Sequence, residues 1–189
     1  SSDFGGALSF DGRYAHVLNC SFSNCSSTYK GGAIMWNVDY GSVVNCSFEK
    51  CSADGGGAIY WNVDYSPVIS SHEGVVLDCS FEGCCARENG GAIEWDGENA
   101  TVCSSVFVNC SANRGGAIYM GSARDCSFLA NSANEGNNWY ATSVPKINLT
   151  VSNFTSTCKS GEVLFLNATY ENGVSVDNVT VTIRVYDED

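Results

Sequence analysis

Apolar and polar residues alternate along most of the first 140 positions, in short runs broken by Gly, Asn, Asp and Ser. In one stretch Ile34 and Trp36 alternate with Ala33 and Met35. The turn formers Asn37-Val38-Asp39-Tyr40-Gly41 follow, and then Val44, Cys46 and Phe48 alternate with Val43, Asn45 and Ser47. A period of two is the signature of strands, because successive side chains of a strand point to opposite faces. Nothing in this region carries the 3.6-residue period of a helix.

The alternating unit repeats. Gly-Gly-Ala begins at Gly5, Gly31, Gly56, Gly90 and Gly115, and Phe22, Phe48, Phe81, Phe107 and Phe128 follow in turn. Three residues after each Phe stand Cys25, Cys51, Cys84, Cys110 and Asn131, and two further on Ser27, Ala53, Ala86, Ala112 and Ala133. The surplus in the one long unit falls at Tyr65–Glu73. A self-similar unit of roughly 25 residues built of strands predicts one winding of a solenoid. The chain is therefore expected to form an all-β parallel β-helix of about five rungs, each stacked on the next at about 4.8 Å. The phase sends Leu8/Phe10, Ile34/Trp36, Ile59/Trp61, Ile93/Trp95 and Ile118/Met120 inward. It also sends in Leu18/Cys20/Phe22, Val44/Cys46/Phe48, Leu77/Cys79/Phe81, Cys103/Ser105/Phe107 and Cys126/Phe128. Met35, Tyr60, Glu94 and Tyr119 then form one outward column, a candidate surface for stacking on sugar rings or anchoring a protein. The same aromatics are also what strand preference alone supplies.

Eleven cysteines bear on this picture. Cys20, Cys46, Cys79 and Cys126 form one inward ladder, and Cys25, Cys51, Cys84 and Cys110 a second at a corner, while Cys85, Cys103 and Cys158 stand apart. Buried thiols can act as small apolar residues. Disulfides between rungs are the alternative, although side chains stacked in parallel strain that bond. His16 and His72 lie outside the C-x₄-C recurrence, so no metal site is expected from it. One turn column is acidic, with Asp39, Asp64 and Glu98 each three residues after a Trp, and Arg13 at the matching place in the first unit. It reads first as a solvated turn and second as a calcium site, oxygen-rich turns being what calcium favours.

The pairing of Gly31-Gly32-Ala33-Ile34 and Gly115-Gly116-Ala117-Ile118 with a following F-x-x-N/C resembles the right-handed parallel β-helix of surface adhesins. Chlamydial polymorphic membrane proteins carry GGA-I and F-x-x-N repeats. The stretches CSFxxCSA and GGAIYW are more similar to the adhesin-like proteins of methanogenic archaea. Asn138-Trp139-Tyr140 resembles the segment with which those helices close before Ig-like modules. The resemblance covers residues 4–140, with the difference that four of the five corners carry Cys where the motif has Asn. It implies a segment of a large secreted protein of an archaeal cell surface, acting in adhesion.

After Tyr140 the repeat stops, and Pro145 marks a linker over 141–146. Alternating segments at 147–151, 163–170 and 179–186, with the turn signal Asn172-Gly173, predict the start of an Ig-like β-sandwich over 147–189. The helix domain is expected over 1–140. Ser1 opens in mid-pattern, so the sequence reads as an excerpt of something longer.

Charge narrows the partners. Nine basic against 21 acidic residues give a net charge of −12, the opposite of what a phosphate backbone requires, so nucleic acid is not an expected partner. No apolar run approaches the roughly 20 residues that span a bilayer, so this segment is not expected to insert directly into a membrane. No motif calls for a cofactor. Nine N-x-S/T sequons occur, at Asn19, Asn24, Asn45, Asn99, Asn109, Asn148, Asn153, Asn167 and Asn178, as candidates for glycosylation of a secreted protein. The functional expectation is a non-catalytic binding segment whose partner is a glycan or protein on another cell. The rival is a polysaccharide-active enzyme, but Asp78 and Asp125, with Arg124 beside the latter, stand two rungs apart and make no catalytic pair. Calcium titration is expected to give no heat and to leave the melting temperature unchanged; a raised melting temperature would turn the acidic turn column into a metal site.

Overall fold

The computed structural model describes residues 2–11, 14–37, 40–62, 74–96 and 101–140, with the backbone of Ile147–Ser152 and Phe165–Tyr170. No helix occurs among the described residues. The chain divides into two compact units, Ser1–Val144 and Pro145–Asp189.

The first unit is a stack of parallel strands in four sheets. The first sheet holds Ser2–Phe4, Ser27–Lys30, Ser52–Gly55, Cys85–Asn89, Ser111–Arg114 and Ser132–Glu135. The second holds Leu8–Phe10, Ile34–Trp36, Ile59–Trp61, Ile93–Trp95, Ile118–Tyr119 and Trp139–Tyr140. The third holds Ala15–Leu18, Gly41–Val44, Gly74–Leu77, Thr101–Cys103 and Ser122–Arg124, and the fourth Ser21–Ser23, Ser47–Glu49, Ser80–Glu82, Val106–Val108 and Ser127–Leu129. The chain visits the four in order and then begins again one level along. In register, Ile34, Ile59 and Ile93 align, as do Trp36, Trp61 and Trp95, and Phe48, Phe81 and Phe107.

Stacking like on like builds the core. The indoles of Trp36 and Trp61 lie 4.4 Å apart at 14°, and those of Trp61 and Trp95 4.6 Å apart at 6°. Phe22, Phe48, Phe81, Phe107 and Phe128 form a second pile with centroids 4.8–5.2 Å apart. The spacing matches the strand separation of a sheet, so the hydrogen-bond ladder fixes the aromatic geometry. The bend between the first two sheets depends on Gly-Gly. Gly56 takes φ +60°, and a Cβ on Gly57 would overlap the carbonyl of Gly91 in the next rung. The surplus residues of the long unit fall between the second and third sheets, and register resumes at Gly74 opposite Gly41.

The structure corrects the phase expected at the third sheet. Val17, Val43, Val76, Val102 and Ala123 point into the core. Leu18, Val44, Leu77 and Cys103 occupy the opposite phase, and Leu18 is 51% exposed. The cause is a left-handed residue between the third and fourth sheets in every rung: Asn19, Asn45, Asp78, Ser104 and Asp125, with φ of 48–54°. Such a residue ends one alternation and starts another, so one expected strand is two. Asn and Asp tolerate this conformation best. A second left-handed column, Asn24, Lys50, Gly83, Asn109 and Ala130, turns the fourth sheet into the first.

In the second unit, Ile147–Ser152 pairs antiparallel with Phe165–Tyr170, Ile147 opposite Tyr170 and Ser152 opposite Phe165. The expected strand at 179–186 lies outside the described residues.

Phe81→Ala, in the middle of its pile, is expected to lower stability by about 3–5 kcal/mol. Phe22→Ala, at the first rung with one described neighbour ring, is expected to cost less. Urea unfolding followed by tryptophan fluorescence measures both.

Candidate functional site

Two concave features lie on the outside of the first unit. The first is a crease where the Gly-Gly bend folds the first sheet against the outer face of the second. Met35, Tyr60, Glu94 and Tyr119 point into it. Met35 and Tyr60 are each 7% exposed and Glu94 2%, while Tyr119 is half-buried. The expectation of an exposed column is therefore wrong for three of the four. Alternation places these side chains outside the coil as expected, but the neighbouring sheet covers them.

The cover comes from the last residues of the first-sheet strands. Lys30 Nζ reaches Glu94, two rungs along, at 2.8 Å from Oε1 and 2.7 Å from Oε2. It also lies 5.0 Å from the ring centroid of Tyr60. Gly55 occupies the rung between, where a Cβ would collide with both the Lys30 amine and the Glu94 carboxylate. Asn89 Nδ2 donates to Glu94 Oε1 at 2.9 Å. Tyr60 donates its phenolic hydrogen to Asp96. Further along, the Arg114 guanidinium sits 5.3 Å from Tyr119 and 5.9 Å from Tyr140, whose rings stack at 5.5 Å.

Burial pushes the Glu94 carboxyl above its ordinary range, against the pull of Lys30 and Asn89. Burial, and then the bond to Asp96, pushes the Tyr60 phenol up as well, so it remains a protonated donor. This crease holds one charge-compensated carboxylate in a largely dry environment. Lys30, Asn89, Asp96 and Arg114 belong to it but have no marker in the repeat. The signal that could have found them is that each stands directly before Gly-Gly or directly after Trp.

The second feature is a groove of about 450 Å³ running across several rungs at the left-handed turn between the third and fourth sheets. Asn19, Asn45, Asp78 and Ser104 line it together with Ser21, Ser47, Ser80 and Val106. Asn45 Nδ2 donates to Asn19 Oδ1 at 2.7 Å, and Ser47 Oγ bonds Ser21 Oγ at 2.9 Å.

The cysteine columns sit as the repeat places them. Cys46, Cys79, Cys51, Cys84 and Cys110 are buried, Cys25 and Cys126 half-buried and Cys20 exposed, and all ten described cysteines are free thiols. In the first ladder, Cys46 Sγ faces the Val17 carbonyl at 3.5 Å, Cys79 that of Val43 at 3.5 Å, and Cys126 that of Val102 at 3.5 Å. The N–H of Cys20 and that of Cys46 point back at the next sulfur, at 3.4 and 3.5 Å. In the second ladder, Cys51, Cys84 and Cys110 face the carbonyls of Phe22, Phe48 and Phe81 at 3.6–3.8 Å. Asn131 makes the same contact with Phe107 at 3.1 Å, and its Oδ1 accepts the N–H of Cys110 at 2.9 Å. Burial pushes the Cys79 thiol up to about 11, and raises Cys46 likewise.

No group of three or more potential metal ligands gathers among the described residues. Asp39, Asp64 and Glu98 lie outside them, as do Arg13, His72, Cys158, Asn99, Asn153 and Asn178. Asn148 and Asn167 stand on the paired strands of the second unit, their side chains not described. The remaining sequon residues, Asn19, Asn24, Asn45 and Asn109, are all exposed. Asp78 and Asp125 are exposed members of one left-handed column, with Ser104 between them.

No family model matches the chain, no curated protein matches it, and no solved structure matches it.

Two outcomes follow from this geometry. Lys30→Met leaves Glu94 buried without its cation and is expected to cost about 3 kcal/mol at neutral pH. Because the folded state holds the Glu94 proton to higher pH than the unfolded state, that group's contribution to stability falls as pH rises through the raised value. The deficit of Lys30→Met should therefore shrink below the ordinary carboxylate range, where Glu94 is neutral in both states, and Glu94→Gln should remove this pH dependence; thermal melts across pH check both. Iodoacetamide on the native protein is expected to label exposed Cys20 and Cys85, and to reach Cys46, Cys79, Cys84 and Cys110 only after unfolding, as read by peptide mass spectrometry.

Proposed function

We propose that the chain is a non-catalytic segment of a large secreted cell-surface adhesin of the kind found in methanogenic archaea. On this reading the stacked unit is a right-handed parallel β-helix, and the second unit begins an Ig-like module. Its partner is a glycan or protein on another cell. The observation that carries the reading is the division between a stacked interior and an outer surface in which hydrogen-bonding side chains stand in register. The outward positions of the fourth sheet place Ser21, Ser47 and Ser80 in one column, and the turn beside them places Asn19, Asn45 and Asp78 in another. A core of piled rings holds such columns in fixed positions, and a preformed surface loses little conformational entropy on binding. N-glycans at exposed Asn24 or Asn109, which stand outside the groove at the left-handed turn between the third and fourth sheets, fit a secreted protein.

A second reading, a polysaccharide-active enzyme, draws on the crease, where Glu94, Asp96, Lys30 and Tyr60 meet. The adhesin reading is favoured because Glu94 is 2% exposed and both of its oxygens are held by Lys30, so it is not presented to a substrate. Beads coated with the full chain are expected to capture cells from a panel of archaea and bacteria, with soluble chain competing; equal capture by albumin-coated beads removes the reading. Reducing ends released from pectin-like or mucin-like glycans, and lost in Glu94→Gln, would establish the enzyme in its place.

A further inference from the structure

We infer that the groove beside the left-handed turn is a binding site for an extended, neutral oligosaccharide lying along the stacking axis. The inference rests on the adhesin reading and names both the ligand class and the face that takes it.

The floor repeats with the rungs, at about 4.8 Å. That step is comparable to the advance of one sugar ring in an extended chain, so successive rings meet the side chains of successive rungs. Most of the groups are amides and hydroxyls, which donate and accept in turn as sugar hydroxyls do, joined by the Asp78 carboxylate, the exposed Cys20 thiol and the buried Cys46 and Cys79. The groove's volume of about 450 Å³ lies within the range of small-ligand sites and exceeds what a single ordered water needs.

The rungs are not equivalent, and the difference gives the site a direction. At the first two levels the side chains bond one another, Asn45 to Asn19 and Ser47 to Ser21, which holds them in place. At the next levels Asp78, Ser80 and Ser104 make no side-chain hydrogen bond to any described residue, and all three are exposed. These free groups are where a ligand's hydroxyls gain most, Asp78 as a charged acceptor. Val106 stands at the fourth level of the serine column and supplies an apolar contact for the C–H face of a ring. The only charge in the groove lining is Asp78, on a chain of net charge −12, which disfavours an acidic glycan.

The test is calorimetric titration of the full chain with cellotetraose, xylotetraose and mannotetraose, and with tetragalacturonate as the acidic arm. At least one neutral tetrasaccharide is expected to bind and the acidic one not to. Ser80→Trp, which fills the groove from an exposed strand position, is expected to weaken binding about tenfold or more. Thr28→Trp, on the exposed face of the first sheet, is expected to leave binding unchanged, with melting temperatures showing that both variants fold. No heat from any neutral tetrasaccharide at millimolar concentration, stronger binding of tetragalacturonate, or equal weakening by both tryptophans overturns the assignment. Cell capture separates this failure from that of the adhesin reading. Wild-type capture that survives in Ser80→Trp removes the groove and leaves adhesion to another face. Tetrasaccharide binding without cell capture keeps the groove and removes the adhesin.

Discussion

Main-chain hydrogen bonds between one winding and the next set the terms for everything else in the first unit. They run along the stack through strands and turns alike; the N–H of Asn45 donates to the carbonyl of Leu77, and that of Asp78 to Cys103. Once the windings are tied in this way, each side chain has a prescribed neighbour above and below. In the middle of the stack Trp meets Trp and Ile meets Ile, while at its ends Phe10 lies against Trp36 and Trp139 against Ile118. Repetition of the sequence thus serves the close packing of the middle windings, where a void or clash is hardest to relax.

The same constraint explains how a Cys replaces an Asn at the corners. The position needs a group that donates to the carbonyl of the preceding Phe and fits a narrow column. Asn131 does so with an amide at 3.1 Å, and Cys110 with a thiol at 3.7 Å. The thiol bond is weaker, and the sulfur shares its contact with a second carbonyl, that of Val108 at 3.6 Å, while remaining apolar enough to be buried. Asn131 needs more, and finds it in the N–H of Cys110 and in Asn138. A run of cysteines followed by one Asn is a column whose polar member sits where extra partners exist.

Much of this architecture was legible in the sequence. The Gly-Gly-Ala and Phe markers fixed the windings, and the pairs Ile34/Trp36 and Ile59/Trp61 gave the correct inward phase of the second sheet. The third sheet was misread, because alternation was carried straight through Asn19, Asn45 and Asp78, and period-two counting cannot see a left-handed residue. The candidate site was the least legible part. Pointing away from the coil was equated with exposure for Met35, Tyr60 and Glu94. Their burial depends on a long-range fact, the fold of one sheet against another at Gly-Gly, and on Lys30 crossing a level emptied by Gly55. The groove escaped notice because it forms only where turns of different windings stand side by side.

The long unit shows where this scaffold accepts change. Its extra residues enter between Trp61 and Gly74, and on both sides of them the alignment with the shorter units is intact, Trp61 with Trp36 and Gly74 with Gly41. The register of the ladders is thus set by the windings themselves and not by the length of the segment that joins one sheet to the next.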